Sequence, residues 1–419
     1  MRRHLRTPGP ALAGALLCAL ASGPAARSQT TDLVKRGEYL ARAADCQACH
    51  SAAGGGAYAG GRAFTLPMGV LYSPNITPDA QTGIGRYTDD EFVRVLHTGV
   101  ARGGKHLYPA MPYNSYTLMT RDDALAIKAY LFSLPAVHAT APANRMDFPY
   151  NIRAVMIGWN LLNNPDHRFT PDAGKPADWN RGAYLVEALG HCAQCHTPRT
   201  ATQGLDTARA YAGAVQQGWD AYNLTSDATH GLKGWSDAAL EQYLSTGHAD
   251  GHGPASGPMA EAVQYSLRYL SAADIHAIVV YLRGIPAQPD GPEAPQATPA
   301  SRPAVPLGRQ VFAEACAGCH LPGGDGRQSQ WAALRGDHSL GDPTATNMVQ
   351  VLAHGSQIQT DQGLMFMHAF TRAYTDPELA AVANYAIGQF GGRQGEVTAQ
   401  QVKAAREAAE KTQKIGSGS

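Results

Sequence analysis

The sequence predicts an all-α fold in three tandem units, and two observations carry that reading. The pentapeptide Cys-x-x-Cys-His occurs three times, as Cys46-Gln-Ala-Cys49-His50, Cys192-Ala-Gln-Cys195-His196 and Cys316-Ala-Gly-Cys319-His320. The chain around these motifs also repeats. Leu33-Val-Lys-Arg-Gly37-Glu-Tyr39-Leu40 leads into the first, Asn180-Arg-Gly182-Ala-Tyr184-Leu185 into the second, and Leu307-Gly308-Arg-Gln-Val-Phe312 more loosely into the third. Each lead-in reads as a short helix with an aromatic residue on its buried face. At 419 residues the chain has room for about three domains of ordinary size.

Behind the motifs the first two units stay in register without a gap. Asn75 of Asn-Ile-Thr-Pro-Asp matches Asn223 of Asn-Leu-Thr-Ser-Asp. Twelve residues on stand Tyr87 and Trp235, each before a helix start with capping side chains, Thr88-Asp-Asp-Glu91 and Ser236-Asp-Ala-Ala. Twenty-four on stand Gly99 and Gly247, and thirty-six on stand Met111 and Met259. The third unit keeps only the end of this register, with Gly355 after a helix over 347–354 and Met367 twelve residues later. A closing helix in each unit bears Tyr130, Tyr281 or Tyr385.

These landmarks divide the chain into a signal peptide at 1–28, domain one at 29–135, a connecting segment at 136–178, domain two at 179–285, a spacer at 286–306, domain three at 307–391 and a tail at 392–419. Residues 1–28 have a basic start, an apolar run from Ala11 to Ala21 and a small-residue exit, with cleavage expected near Ser28 and Gln29. The run is too short to span a bilayer. The connecting segment, with Phe148-Pro-Tyr-Asn-Ile-Arg-Ala-Val-Met-Ile-Gly-Trp159-Asn-Leu-Leu162, is too apolar for a solvated tether and is expected to pack between domains one and two. Seven prolines in the spacer predict a semi-rigid extended strap of at most about 65 Å, which would leave domain three more independent. The tail predicts a helix over roughly 398–414, and the final Gly-Ser-Gly-Ser reads as a cloning remnant.

The motif spacing is that of c-type haem attachment. Two thiols bond the porphyrin, at Cys46 and Cys49, Cys192 and Cys195, and Cys316 and Cys319, while His50, His196 and His320 are placed to reach the iron. A zinc knuckle or a thioredoxin-like pair also uses Cys-x-x-Cys. Neither needs a His after every second Cys, and a closed zinc site wants four protein ligands. Six of the seven cysteines are spent in the motifs and the seventh is Cys18, so no disulfide framework is left over. Loss of residues 1–28 removes four arginines and no acid, leaving 30 basic against 34 acidic residues. A basic nucleic-acid footprint is absent.

The second iron ligand is expected from the repeat register, which selects Met111, Met259 and Met367; thioether sulfur favours the ferrous state. Met365 rivals Met367. Met68, Met119, Met146 and Met156 read as core fillers. His248, His252, His354 and His368 are the imidazoles that could displace a thioether. Asn75 and Asn223 are either donors to a haem propionate or turn residues. No nucleotide, flavin or other catalytic fingerprint is present, so no catalytic residue is assigned.

Taken with Gly69-Val-Leu-Tyr-Ser-Pro-Asn-Ile-Thr-Pro78, Met111-Pro-Tyr113 and the run from Trp179 to Arg199, these motifs make residues 33–391 resemble the trihaem cytochrome c subunits of bacterial membrane-associated sugar and alcohol dehydrogenases. The resemblance implies three class I cytochrome c-like domains, each built around a covalent haem c. It also implies a separate catalytic subunit, a flavoprotein with FAD or a quinoprotein with PQQ, sometimes with a small third subunit, and ubiquinone as acceptor. The place implied is the periplasmic face of the inner membrane, with attachment in the family often through the C-terminal region. The third loop departs from the family's Met-Pro-Ala-Phe, reading Met367-His-Ala-Phe370. The expected function is therefore a non-catalytic electron-transfer subunit, the flavin-linked sugar type ahead of the quinoprotein type. The competing readings are a free multihaem peroxidase or reductase and a soluble shuttle.

Overall fold

The computed structural model describes residues 24–289, 306–327, 329–342 and 344–416. Cys18, residues 1–23 of the expected signal peptide, most of the Pro-rich spacer and the last three residues lie outside them. Unit one opens with α1 (Pro24–Ala43), passes through the first motif and a hairpin of β1 (Ala63–Leu66) and β2 (Gly69–Tyr72), and continues with α2 (Asp89–Thr98) and α3 (Arg121–Ser133). The connecting segment supplies β3 (Arg145–Met146) and α4 (Val155–Asn163). Unit two runs from α5 (Ala177–Ala183) through β4 (Ala214–Gln216), β5 (Trp219–Ala221), α6 (Asp237–Thr246), β6 (His248–Ala249), β7 (Gly253–Pro254) and α7 (Gly257–Tyr265) to α8 (Ala272–Arg283). Unit three has α9 (Pro306–Val311), α10 (Thr346–His354), β8 (Ser356–Thr360), β9 (Gly363–Met367) and α11 (Asp376–Phe390), followed by the tail helix α12 (Ala399–Gly416).

The expectation of an all-α fold does not hold. Among the described residues the helices are joined by four small antiparallel sheets, β1–β2–β3, β4–β5, β6–β7 and β8–β9. Their strands are two to five residues long, below the length at which alternation declares itself in a sequence. Glycine at the reversals makes them possible: Gly218 closes the β4–β5 turn at φ 83° and Gly363 the β8–β9 turn at φ 113°.

Helix boundaries follow the capping chemistry. Thr88 and Glu91 form the reciprocal capping box at the head of α2, and Ser236 accepts from the Ala239 N–H at the head of α6. Gly99 and Gly247 end the same two helices in the left-handed region, at φ 67° and 85°.

One contact recurs in all three units. The lead-in helix crosses the closing helix at a glycine so tightly that a Cβ on Gly37 would stand 1.9 Å from the Ala126 carbonyl oxygen. The corresponding gaps are 1.9 Å for Gly182 against Ala277 and 2.1 Å for Gly308 against Ala381. In each case the Cβ of the closing tyrosine, Tyr130, Tyr281 or Tyr385, lies on the other side, at 2.9, 2.8 and 2.8 Å. No side chain fits there, so glycine alone permits the crossing.

Units one and two are joined by a pseudo-two-fold contact. Asp123 is held by Arg36 of its own unit at 2.5 Å and by the Tyr184 hydroxyl of unit two at 2.6 Å. Asp274 is held by Arg181 of its own unit at 2.7 and 2.8 Å and by the Tyr39 hydroxyl of unit one at 2.6 Å. Even the next bonds match, Thr120 N–H donating to Tyr184 and Ser271 N–H to Tyr39. Such reciprocity is the mark of an isologous interface. One apolar core runs through both units, from Leu40 and Ile127 to Leu185 and Ile278.

Unit three has its own core, around Phe312, Leu340, Leu379 and Ile387, yet it is docked where a tethered domain was expected. The Asn347 amide accepts from the Asp220 N–H and donates to the Asp220 carbonyl, at 2.8 and 2.9 Å, completing the free edge of β5. Gln350 donates to the Gly218 carbonyl, and Ile358 packs with Ala255, Ala260 and Val263 of unit two. The tail helix is folded back on unit three as well, burying Val402, Ala405 and Ala409, while Arg406 bonds Asp376 and the Tyr374 carbonyl.

Burial alone would raise the Asp274 carboxyl, but the bonds from Arg181 and Tyr39 hold it below the usual carboxylate range. A carboxyl whose folded-state pKa is depressed contributes its full stability above the unfolded value, about pH 4, and loses it as pH falls further. Asp274→Asn is therefore expected to cost about 1–3 kcal/mol at neutral pH, read by calorimetry. The gap between variant and parent should narrow as the pH is taken below about 4. A gap that ignores pH would remove the carboxylate's charge from the account.

Candidate functional site

Each motif emerges from the glycine-locked lead-in helix. In units two and three that helix widens into a π-helical turn directly ahead of the motif, over Tyr184–Leu189 and Phe312–Cys316. The residue before the first cysteine adopts the left-handed region in units one and two, Asp45 at φ 50° and His191 at φ 41°, which turns the loop sharply out of the helix. An arginine then grips the loop from outside. Arg62 donates to the Ala48 carbonyl and Arg199 to the Gln194 carbonyl, each 2.6 Å from the residue just before the second cysteine.

The three histidines have one geometry. Nδ1 of His50 lies 2.8 Å from the Pro74 carbonyl, that of His196 2.6 Å from the Tyr222 carbonyl, and that of His320 2.7 Å from the Ala332 carbonyl. A carbonyl only accepts, so Nδ1 carries the proton and the Nε2 lone pair is left for a metal. Burial lowers the affinity of all three rings for a second proton, against the smaller opposite effect of that bond. Each imidazole is thus held neutral and oriented, the state an iron ligand requires.

The cysteines fit covalent attachment and do not fit zinc. All six are free. Burial pushes the thiols of Cys46, Cys49 and Cys192 up to about 12 and that of Cys316 to about 11, an apolar setting suited to a neutral thioether and hostile to a thiolate cage. Among the described residues no three His, Cys, Asp or Glu side chains converge as a metal cage. The first two loops lie side by side. Gln194 of the second loop donates to the Asn114 amide oxygen and the Ser115 hydroxyl of unit one, and the Tyr116 ring of unit one meets His191 edge-on at 5.7 Å.

The methionines divide. Met111 packs on the core that also holds Cys46, and Met367 on the core that holds Cys316. Met365, two residues earlier on β9, packs instead with Ile358 in the cluster between units two and three. Met259 belongs to that same cluster and not to the core around Cys192, because Gly257-Pro258 starts α7 and puts Met259 on a regular helix. The rival histidines are engaged elsewhere: His248 Nε2 faces the Gln330 carbonyl at 3.2 Å, His252 stacks on Trp235 at 3.6 Å, His354 lies against Trp219 and His368 against Phe366.

Asn75 and Asn223 act as turn residues. The Asn75 amide oxygen accepts from the Thr77 N–H and hydroxyl while its nitrogen donates to the Val137 carbonyl. Asn223 does the same with Thr225 and the Gln288 carbonyl. Their turn sets the carbonyl just before them, Pro74 or Tyr222, that orients the proximal imidazole. Sequence reasoning missed those carbonyls, although the repeat register had marked their neighbours. Ala332 had no such signal.

Comparison with known proteins follows the same lines. The cytochrome c family model matches residues 34–135 and 305–386. The fructose dehydrogenase cytochrome subunit of Gluconobacter japonicus is 36% identical over 423 residues, covering 94% of this chain and 87% of that protein. The gluconate 2-dehydrogenase cytochrome c subunit of Pantoea cypripedii is 38% identical over 405 residues, covering 89% of each. The cytochrome c subunit of the quinone-dependent alcohol dehydrogenase of Gluconacetobacter polyoxogenes is 34% identical over 435 residues, covering 97% and 91%. The attachment motifs, the oriented imidazoles and this similarity across nearly the whole length together make the chain a member of the family of haem c-bearing cytochrome subunits of bacterial sugar and alcohol dehydrogenases.

Proposed function

We propose that the protein carries three covalent haems c and relays electrons from a flavin-dependent sugar dehydrogenase subunit to ubiquinone at the periplasmic face of the inner membrane. The observation that carries this reading is the threefold repetition of one site: two free thiols, and an imidazole whose Nδ1 is tied to a backbone carbonyl. Haem c, when bound, supplies a one-electron couple. What this chain supplies is attachment, orientation, exclusion of water and spacing. His50, His196 and His320 would hold the iron on one side, and Met111, Met259 and Met367 on the other. The packing of Met367 beside Cys316, with Met365 turned to another cluster, supports Met367 as the ligand in unit three.

A quinoprotein alcohol dehydrogenase is the alternative partner, since relatives of both kinds are similar over most of their length. Co-purification from the native membrane, followed by identification of the non-haem cofactor, tests the choice: FAD supports the proposal and PQQ replaces it. A free peroxidase would need an iron open on one face. Near-infrared magnetic circular dichroism of the holoprotein is expected to give three low-spin His/Met haems, whereas a high-spin ferric signal that binds cyanide rapidly would sink the relay reading.

Met111→Ala and Met367→Ala are each expected to convert one haem to a high-spin form and lower its potential, while Met365→Ala leaves all three spectra in place. Attachment gives a second test. Cys316→Ala with Cys319→Ala should remove one haem of three and unfold unit three alone, since its core is separate. The same change at Cys192 and Cys195 should loosen units one and two together, since they share a core. Limited proteolysis with haem quantification reads both, and a folded haem-free unit would count against the haem as the centre of each core.

A further inference from the structure

Seven of the thirteen exposed large apolar side chains among the described residues fall within 148–162. Phe148 is 78% exposed, Leu161 84% and Leu162 73%. The inner face of α4 is anchored: Met156 and Trp159 are buried, Trp159 meets the Tyr113 ring at 5.8 Å, and its indole N–H donates to the Thr202 carbonyl of unit two. The connecting segment thus contacts units one and two with one face only. Val155, Ile157, Leu161 and Leu162 form the other face, turned to solvent.

The pseudo-two-fold explains why this segment sits where it does. In unit two the edge of β5 is completed by unit three, with Asn347 accepting from the Asp220 N–H. In unit one the equivalent position is Tyr72, whose N–H donates to Asn144 within the connecting segment, and β3 then pairs with β2. Around the corner, the bridge between Val100 and His106 matches β6 and β7. His338 of unit three bonds the His252 carbonyl there, and Arg153 of the segment bonds the His106 carbonyl here. Residues 144–164 thus cover on unit one the face that unit three covers on unit two.

Charge decides what the outer face meets. Between Phe148 and Pro165 the only charged side chain is Arg153. Lys105 lies near enough to Arg153 for that charge to disfavour its own, after the larger effect of burial. Arg145 stands at the other edge and donates only to the Tyr72 hydroxyl. Lys105 and Arg153 are in none of the ion pairs found among the described residues, whereas Arg145 shares a concavity with Asp147, Glu407 and Glu410. An apolar helix face with Arg153 and Lys105, unpaired among the described residues, at its edge matches the acyl boundary and anionic headgroups of a bilayer. The tail helix has spent its apolar side on unit three, and no described helix is long and apolar enough to cross a membrane.

We infer that the outward face of residues 148–162 is the surface by which this subunit lies on an anionic lipid bilayer, bringing unit one to the membrane. The inference deepens the proposed function and rests on it for the whereabouts of the acceptor. The test is co-sedimentation of the full-length holocytochrome with vesicles of phosphatidylglycerol and phosphatidylethanolamine. Leu161→Asp with Leu162→Asp is expected to weaken binding by at least about tenfold with haem spectra unchanged, and salt should weaken the parent's binding. Val215→Asp, at an exposed apolar position on unit two, should bind as the parent does. Vesicle binding retained by the double variant overturns the inference. So does retained vesicle binding with loss of the catalytic subunit on co-purification, which would give the surface to that protein. Substrate-driven reduction of ferricyanide by the intact complex is read in parallel and should survive both variants. Its failure in the parent complex would strike the relay reading and leave the vesicle result standing.

Discussion

Everything in this structure hangs on a crossing of two helices at a point where no side chain fits. At Gly37, Gly182 and Gly308 the lead-in helix meets the carbonyl of the closing helix with less than 2.2 Å for any Cβ. The contact fixes the lead-in helix against the closing helix, and the attachment loop leaves from the end of that lead-in. Three repeats of one constraint give three loops launched alike, although the lead-in of unit three shares little with the others beyond that glycine and an aromatic residue. A methyl group at any of the three would push the helices apart and move the loop with them.

From the loops outward, orientation is supplied by backbone. Each proximal imidazole is tied to a carbonyl, and in two units that carbonyl is set by an Asn–Thr turn closing on itself. This division of labour suits a group that must change charge without moving. Side chains on loops can swing, whereas a carbonyl fixed by a saturated turn cannot.

Much of this was legible in the sequence, and the failures have physical reasons. The motifs, the register and the capping boxes declare themselves because each depends on residue type at fixed spacing. The four sheets do not, because strands of two to five residues carry no readable alternation and are made by glycine turns and edge bonds. Contacts between units are equally silent. Tyr39 and Asp274 are 235 positions apart, and nothing local marks either as the other's partner. The spacer's prolines suggested a loosely held third unit, yet Asn347 docks it by completing a strand edge with one amide.

The pseudo-two-fold leaves the molecule with two like faces and gives them different covers. If both had been left bare, each would expose a strand edge and an apolar corner, an invitation to pair with another copy. Unit two closes its face with a whole further unit, which carries the third attachment motif. Unit one closes its face with twenty-one residues of its own connecting segment, which turns an apolar helix face outward. The two halves therefore differ not in their attachment motifs, which repeat, but in what is laid over two equivalent edges: a whole unit held by Asn347 on one, a short segment held through Asn144 and β3 on the other.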